Sequence, residues 1–332
     1  MNNCQTVLSK ASQVVRYTCF LHRANFGSYA VLDNVGEVSA AQLVPSHISC
    51  PPYFKTGEPS TPPSGPEIKA EWQVQAMREA SYLARTVLNT AGMATEDIDI
   101  LVHNKIIESG AYPSPLNYMG FPKSVCTSVN NVACHGIPDD RQLLDGDIVS
   151  VDSTFDVLYL QVFYNGYHGD CCETYLIGNV DELGHHLVRA ARRCRDEAIA
   201  ICAPGVPFAA IGAKVEQVAD QEGVTVVPCF IGHGIGKYFH GPPDIYHCYN
   251  NYPGTMEAGM TFTIEPIVAQ GKEDALILED GWTAVMILCS CEIKEIVPYR
   301  GRSSGGPYLV LFIRKLQYFF FNSVLHSGVF IF

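Results

Sequence analysis

The chain is short of the features that announce several common functions. Its thirteen cysteines include no C-x-x-C pair, which excludes a zinc ribbon or a recognisable disulfide framework. A reducing compartment and mostly buried thiols are therefore expected. No phosphate-binding G-x-x-x-x-G-K motif occurs, and GHGIG at 232–236 misses the G-x-G-x-x-G spacing of a dinucleotide loop. Basic charge is scarce: 22 Lys and Arg against 34 Asp and Glu leave a net charge of −12, which suits phosphate backbones poorly. Nucleic acid is not an expected partner. The apolar tail from 308 to 332 is broken by Arg314 and Lys315, so no membrane span is expected.

Acidic residues are also missing from the first 32 positions, where Lys10, Arg16 and Arg23 mix with Ser9, Ser12 and Ser28. That composition reads either as an organellar transit peptide or as a disordered terminus, over 1–44. A mitochondrial location is expected, with a cytoplasmic one as the alternative. Residues 45–67 are rich in Pro, Ser, Gly and Thr and read as an extended arm. Helical spacing follows in Val74, Met77, Ala80, Ala84, Val87 and Leu88, then in a helix opened by Thr95 and closed by Gly110. Two more helices are predicted from about Asp181 to Ala203, ended by Pro204-Gly205, and from Pro207 to about Glu222. The arginines of VRAARRCRDEA read as the solvated face of the third helix. Between and after these pairs lie the strand-like runs DIVSVDST, GVTVVPCF and GMTFTIEPIV. The order implies an α+β architecture.

Histidine and carboxylate gather in four short pieces: CHGIP (His135), VDSTFDVLYLQVFYNGYHGD (Asp152 and Asp170), GHGIGKYFHGPP (His233 and His240) and TIEP (Glu265). Asp152 and Glu265 each sit inside an apolar run, where an uncompensated carboxylate costs several kcal/mol. A divalent cation is the simplest match. Carboxylate oxygens with one imidazole suit Co, Mn, Fe or Zn, and bridging carboxylates can hold two ions about 3.5–4 Å apart for hydrolysis.

These pieces, with GAYPSPLNYMGFPKSVCTSVNNVACHGIP and DGWTAV, resemble the type 1 methionine aminopeptidases, in a form similar to the mitochondrial one. The resemblance runs from about residue 68 to residue 285. It implies a pita-bread fold, an antiparallel sheet covered by two pairs of helices, and a monomer that removes N-terminal methionine from nascent proteins with a small second residue. It implies two divalent ions on Asp152, Asp170, His233 and Glu265, four of the family's five ligands. His135 would contact substrate near the scissile amide, His240 would hydrogen-bond its carbonyl oxygen, and Glu265 would accept the proton of the attacking water. Tyr118, Phe121, Cys126, Phe239 and Trp282 would line the methionine pocket.

Two departures qualify that reading. The Asn165-Gly166 turn, as a two-residue type I′ hairpin, pairs 164 with 167 and puts Gln161, not Asp152, opposite Asp170. Asp152 and Asp170 stand eighteen positions apart, seven more than in the family. The two aspartates meet only if Phe155 to Gln161 are extruded as a bulge or loop. The family's last bridging glutamate is also missing from the divergent tail, 286–332; Glu292 and Glu295 lie near its place in the wrong context. A catalytically impaired relative that keeps the fold and binds peptide or protein is the alternative reading.

Overall fold

The computed structural model describes residues 29–32, 34–83, 93–151, 161–286, 290–292 and 295–298. Apolar spacing becomes four helices: α1 (Glu71–Leu83), α2 (Thr95–Glu108), α3 (Glu182–Ala200) and α4 (Ala209–Glu222). Their ends have local causes. Asp97 accepts from the Ala94 amide at 3.0 Å at the start of α2, and Asp181 accepts from the Gly184 amide at 2.8 Å at the start of α3. Gly223, with φ +66°, closes α4 in the left-handed conformation. Val74, Met77 and Ala80 of the predicted α1 stripe are buried, while Ala84, Val87 and Leu88 lie outside the described residues.

The strands, in chain order, are β1 (Tyr112–Pro113), β2 (Thr127–Val129), β3 (Val132–Cys134), β4 (Ile148–Val151), β5 (Val162–Tyr164), β6 (Tyr167–Gly169), β7 (Glu173–Leu176) and β8 (Thr225–Val226). They continue as β9 (Gly232–Gly234), β10 (Gly241–Ile245), β11 (Thr261–Ile264), β12 (Ile267–Ala269), β13 (Ala275–Ile277), β14 (Ala284–Met286), β15 (Ser290–Glu292) and β16 (Glu295–Pro298). Every pairing among the described strands is antiparallel, in the orders β1-β5-β6, β2-β4-β7, β13-β14-β3, β10-β9-β11-β16 and β15-β12-β8. One helix pair covers each half of the molecule. Leu187 and Cys194 of α3 and Ile211 and Val215 of α4 pack on Phe262, Ile264 and Val268. Ala80 of α1 and Ile98, Val102 and Ile106 of α2 pack on Val149, Val151 and Val162. Each large aliphatic side chain so buried contributes roughly 1.5–3 kcal/mol. The arginines of α3 are engaged by carboxylates: Arg189 by Glu182, Arg192 and Arg195 by Glu173, and Arg193 by Glu197 and Glu222.

Packing crosses the expected domain boundaries. Leu32 exchanges hydrogen bonds with Asn131, Gly36 donates to Asp139, and Ser39 bonds Glu96 beside the buried Lys123, all upstream of the boundary expected at 44–45. Within the supposed arm, Pro52–Phe54 form a 3₁₀ turn and Tyr53 is 2% exposed. Its apolar ring has a place in the core, so this part of the arm is not merely extended. Downstream of 285, β15 and β16 extend the sheet rather than leaving it. The β5–β6 hairpin has the expected register, with Tyr164 opposite Tyr167 and Val162 opposite Gly169. Asn165 (φ 51°) and Gly166 (φ 83°) supply the two positive dihedrals that a type I′ turn requires.

His103 of α2 latches the N-terminal segment. Its Nε2–H donates to the Leu43 carbonyl at 3.2 Å and its Nδ1 accepts from Ser124 at 2.8 Å, and burial lowers its pKa below the usual 6.5. A folded pKa below the unfolded one gives stability that is complete above about pH 6.5 and lost as pH falls below it. Protection factors of the amides over residues 39–43, corrected for the intrinsic slowing of exchange in acid, should therefore fall as pH drops below 6.5, and His103→Gln should flatten that dependence. Gly166 has open space around its missing Cβ, so Gly166→Ala should cost only the dihedral strain, about 1–2 kcal/mol in urea unfolding.

Candidate metal centre

The centre is built where three strand segments meet. Asp170 follows β6, His233 is the middle residue of β9, and Glu265 follows β11. All three are buried, at 0%, 7% and 8% exposure. His233 Nε2 lies 3.3 Å from Asp170 Oδ2 and 3.5 Å from Glu265 Oε1. One donor atom each from Asp170, His233 and His240 lies within 4.8 Å of the others, so Glu265 joins this group through its approach to His233.

The tautomer of His233 decides what that convergence means. Its Nδ1 donates to the Gly234 carbonyl at 3.2 Å, which leaves Nε2 as the nitrogen that faces the carboxylate oxygens. Nε2 has no hydrogen-bond partner among the described residues. With Nδ1 so engaged, Nε2 is free to offer a lone pair to a cation lying between it and the two carboxylates, which such an ion would also neutralise. Donors bonded at about 2.0–2.2 Å, at right or tetrahedral angles, lie about 3–3.6 Å apart, and both measured separations fall in that range. The donor set fits a divalent ion.

Neighbours that sequence reasoning passed over hold these side chains. The Thr263 hydroxyl accepts from the His233 amide at 2.8 Å and donates to Glu265 Oε1. Its alternation with Glu265 in TFTIEP was the available signal. The Glu265 amide donates to Nε2 of buried His247 at 3.1 Å, a contact that nothing in the run IYHCYNN marks. His168, fully buried, stacks between Phe239 (4.9 Å, 10° between planes) and Tyr53 (6.0 Å, 15°) and bonds Ser114 at 2.8 Å. Burial pushes its pKa down to about 3, so this ring is neutral.

The expected substrate residues form two adjoining groups. Tyr118, Phe239 and His240 touch one another, with ring centroids 4.3–5.0 Å apart, and His240 lies 4.1 Å from His233. The Phe121 ring meets Trp282 at 5.2 Å, and Trp282 meets His135 at 6.2 Å. Tyr118 and Phe121 share one tight turn, closed by the Phe121 amide donating to the Tyr118 carbonyl, and that turn joins the two groups. Cys126 is buried immediately before β2. Asp152 lies outside the described residues. The register puts Glu295 opposite Ile264 and Glu292 opposite Ile267, whereas Ile296 stands opposite Thr263. No glutamate is thus paired with the residue that supports Glu265.

A family model for metallopeptidase family M24 matches residues 71–295, and the chain is 54% identical over 256 residues to the human protein named methionine aminopeptidase 1D, mitochondrial. The chain belongs to the M24 methionine aminopeptidases. The human match covers 75% of this chain and 74% of that protein. The Danio rerio protein of the same name is 47% identical over 291 residues, covering 86% of this chain and 84% of its own. The crystal structure of methionine aminopeptidase from Rickettsia prowazekii superposes with a TM-score of 0.65 at 32% identity, covering 71% of this chain and 96% of that one. The M24 fold is pita-bread, with the α+β content and antiparallel pairing seen here.

Thr263 ties the histidine strand of this M24 site to its glutamate, so Thr263→Val, close in shape but without the hydroxyl, should weaken divalent-ion binding. Loss of such outer support typically costs 10–100-fold in affinity. Competition for Co(II) against a chromophoric chelator measures it.

Proposed function

We propose that this chain removes methionine from the N-terminus of nascent mitochondrial proteins whose second residue is small, acting as a monomer. The observation that carries this is the meeting of Asp170, His233 and His240 beside the Tyr118 and Phe239 rings. Asp170, His233 and Glu265 would hold the metal. A divalent ion bound there polarises a peptide carbonyl and lowers the pKa of a bound water. The metallopeptidase family supports divalent metal in general; Co, Mn, Fe and Zn all suit the donors, and a second ion would call on Asp152 and a further carboxylate.

The protein's own groups do the rest. Burial raises the Tyr118 phenol well above its usual pKa, so it stays protonated and can donate to His240 Nδ1 at 2.8 Å. His240 then keeps its proton on Nε2, where it can donate to a carbonyl oxygen as negative charge develops. Glu265, steadied by Thr263 and by His247 through its amide, is placed to take up a proton. Phe121, Trp282, Phe239 and Cys126 offer apolar, polarizable surface of the kind a thioether side chain fills. His135, in edge contact with Trp282, would contact substrate near the scissile amide. The human and Danio rerio relatives, both named as mitochondrial, support the location.

The test is release of methionine from Met-Ala-Ser by metal-loaded protein, with a Leu-Ala-Ser control. Methionine release is expected, and Tyr118→Phe should lower kcat about tenfold with a smaller change in KM, since its bond acts on a group engaged in the transition state. Absence of release at full metal occupancy would establish the catalytically impaired reading instead.

A further inference from the structure

Gln161 belongs to the seven residues by which this chain exceeds the family's aspartate spacing, yet it is built into the site. It continues β5 by one residue: its carbonyl accepts from the Ser114 amide at 2.7 Å, extending the β1–β5 ladder, and the hairpin register puts it opposite Asp170. Directly opposed residues of an antiparallel pair share a face. The side-chain amide of Gln161, 7% exposed, accordingly donates to Oδ1 of Asp170 at 3.0 Å, while Oδ2 of the same carboxylate lies 3.3 Å from His233 Nε2.

A ligating carboxylate is held in orientation by hydrogen bonds from the groups behind it. Here that bond comes from the Gln161 side-chain amide to Oδ1, and the residue is anchored by the Ser114–Gln161 backbone bond. We propose that Gln161 is a positioning residue that holds Asp170 by Oδ1 and so sets Oδ2 toward the ion shared with His233.

This rests on the reading of Asp170, His233 and Glu265 as a metal centre, and the experiment separates the two. Metal-free full-length protein is titrated with Co(II), following ions per chain by native mass spectrometry and geometry by the visible absorption of bound Co(II). Wild type should take up Co(II). Gln161→Met, similar in length but without the donor, should bind it 10–100-fold more weakly and with a changed cobalt spectrum, as loss of an orienting partner does. A Gln161→Met protein with wild-type affinity and spectrum overturns the role of Gln161 while leaving the metal centre standing. No uptake by wild type overturns both. Should Gln161→Met fail to fold, Gln161→Asn, which keeps the amide but shortens its reach, is read in the same way, and a wild-type affinity and spectrum overturns the proposal.

Discussion

Everything at the centre of this molecule depends on one electrostatic constraint: a histidine lone pair and two carboxylates are buried together. The Gly234 carbonyl holds a proton of His233 on Nδ1, and that hydrogen bond turns Nε2 toward Asp170 and Glu265, where it can share a metal ion with them. Two buried carboxylates need positive charge beside them, and a divalent ion held with Nε2 supplies it, so metal binding and the stability of this part of the fold are linked.

Around this constraint the structure places supports that come from distant parts of the chain. Thr263 joins β9 to β11, His247 holds the backbone of Glu265, and the neutral His168 fills the space between Phe239 and Tyr53. Tyr53 comes from a segment that composition alone marks as a tether. Its hydroxyl bonds the Ser114 carbonyl at 2.6 Å and its ring meets Tyr118 edge-on at 5.1 Å, so the segment is a wall of the site. The aromatic cluster is thus continuous from the arm to His240, which ties the position of a candidate catalytic side chain to packing far from it in sequence.

Two cross-strand positions at the centre are filled from segments expected to depart from the family pattern: Gln161 bonds Asp170, and Ile296 stands opposite Thr263. Antiparallel pairing transmits a change in chain length to the opposing strand in steps of one residue, and each odd step exchanges the two faces. The helix pairs pack on the strands at Leu187, Ile211 and Phe262 on one side and at Val102 and Val149 on the other.

Local rules made much of this legible from residue order. The four helices follow from apolar spacing and their capping residues, and the hairpin register follows from Asn165-Gly166, because few residues other than Asn and Gly adopt two successive positive φ values without strain. That register also identified Gln161 as the partner of Asp170. Short motifs held His233, His240 and Glu265 as candidates because their chemistry is unusual in apolar runs. What only tertiary structure decided are the contacts between residues far apart in the chain: His168 between Tyr53 and Phe239, His247 under Glu265, and Leu43 on His103. Such contacts are selected by how packed layers meet in space, and the periodicity of a single strand or helix carries no record of which distant side chain will face it.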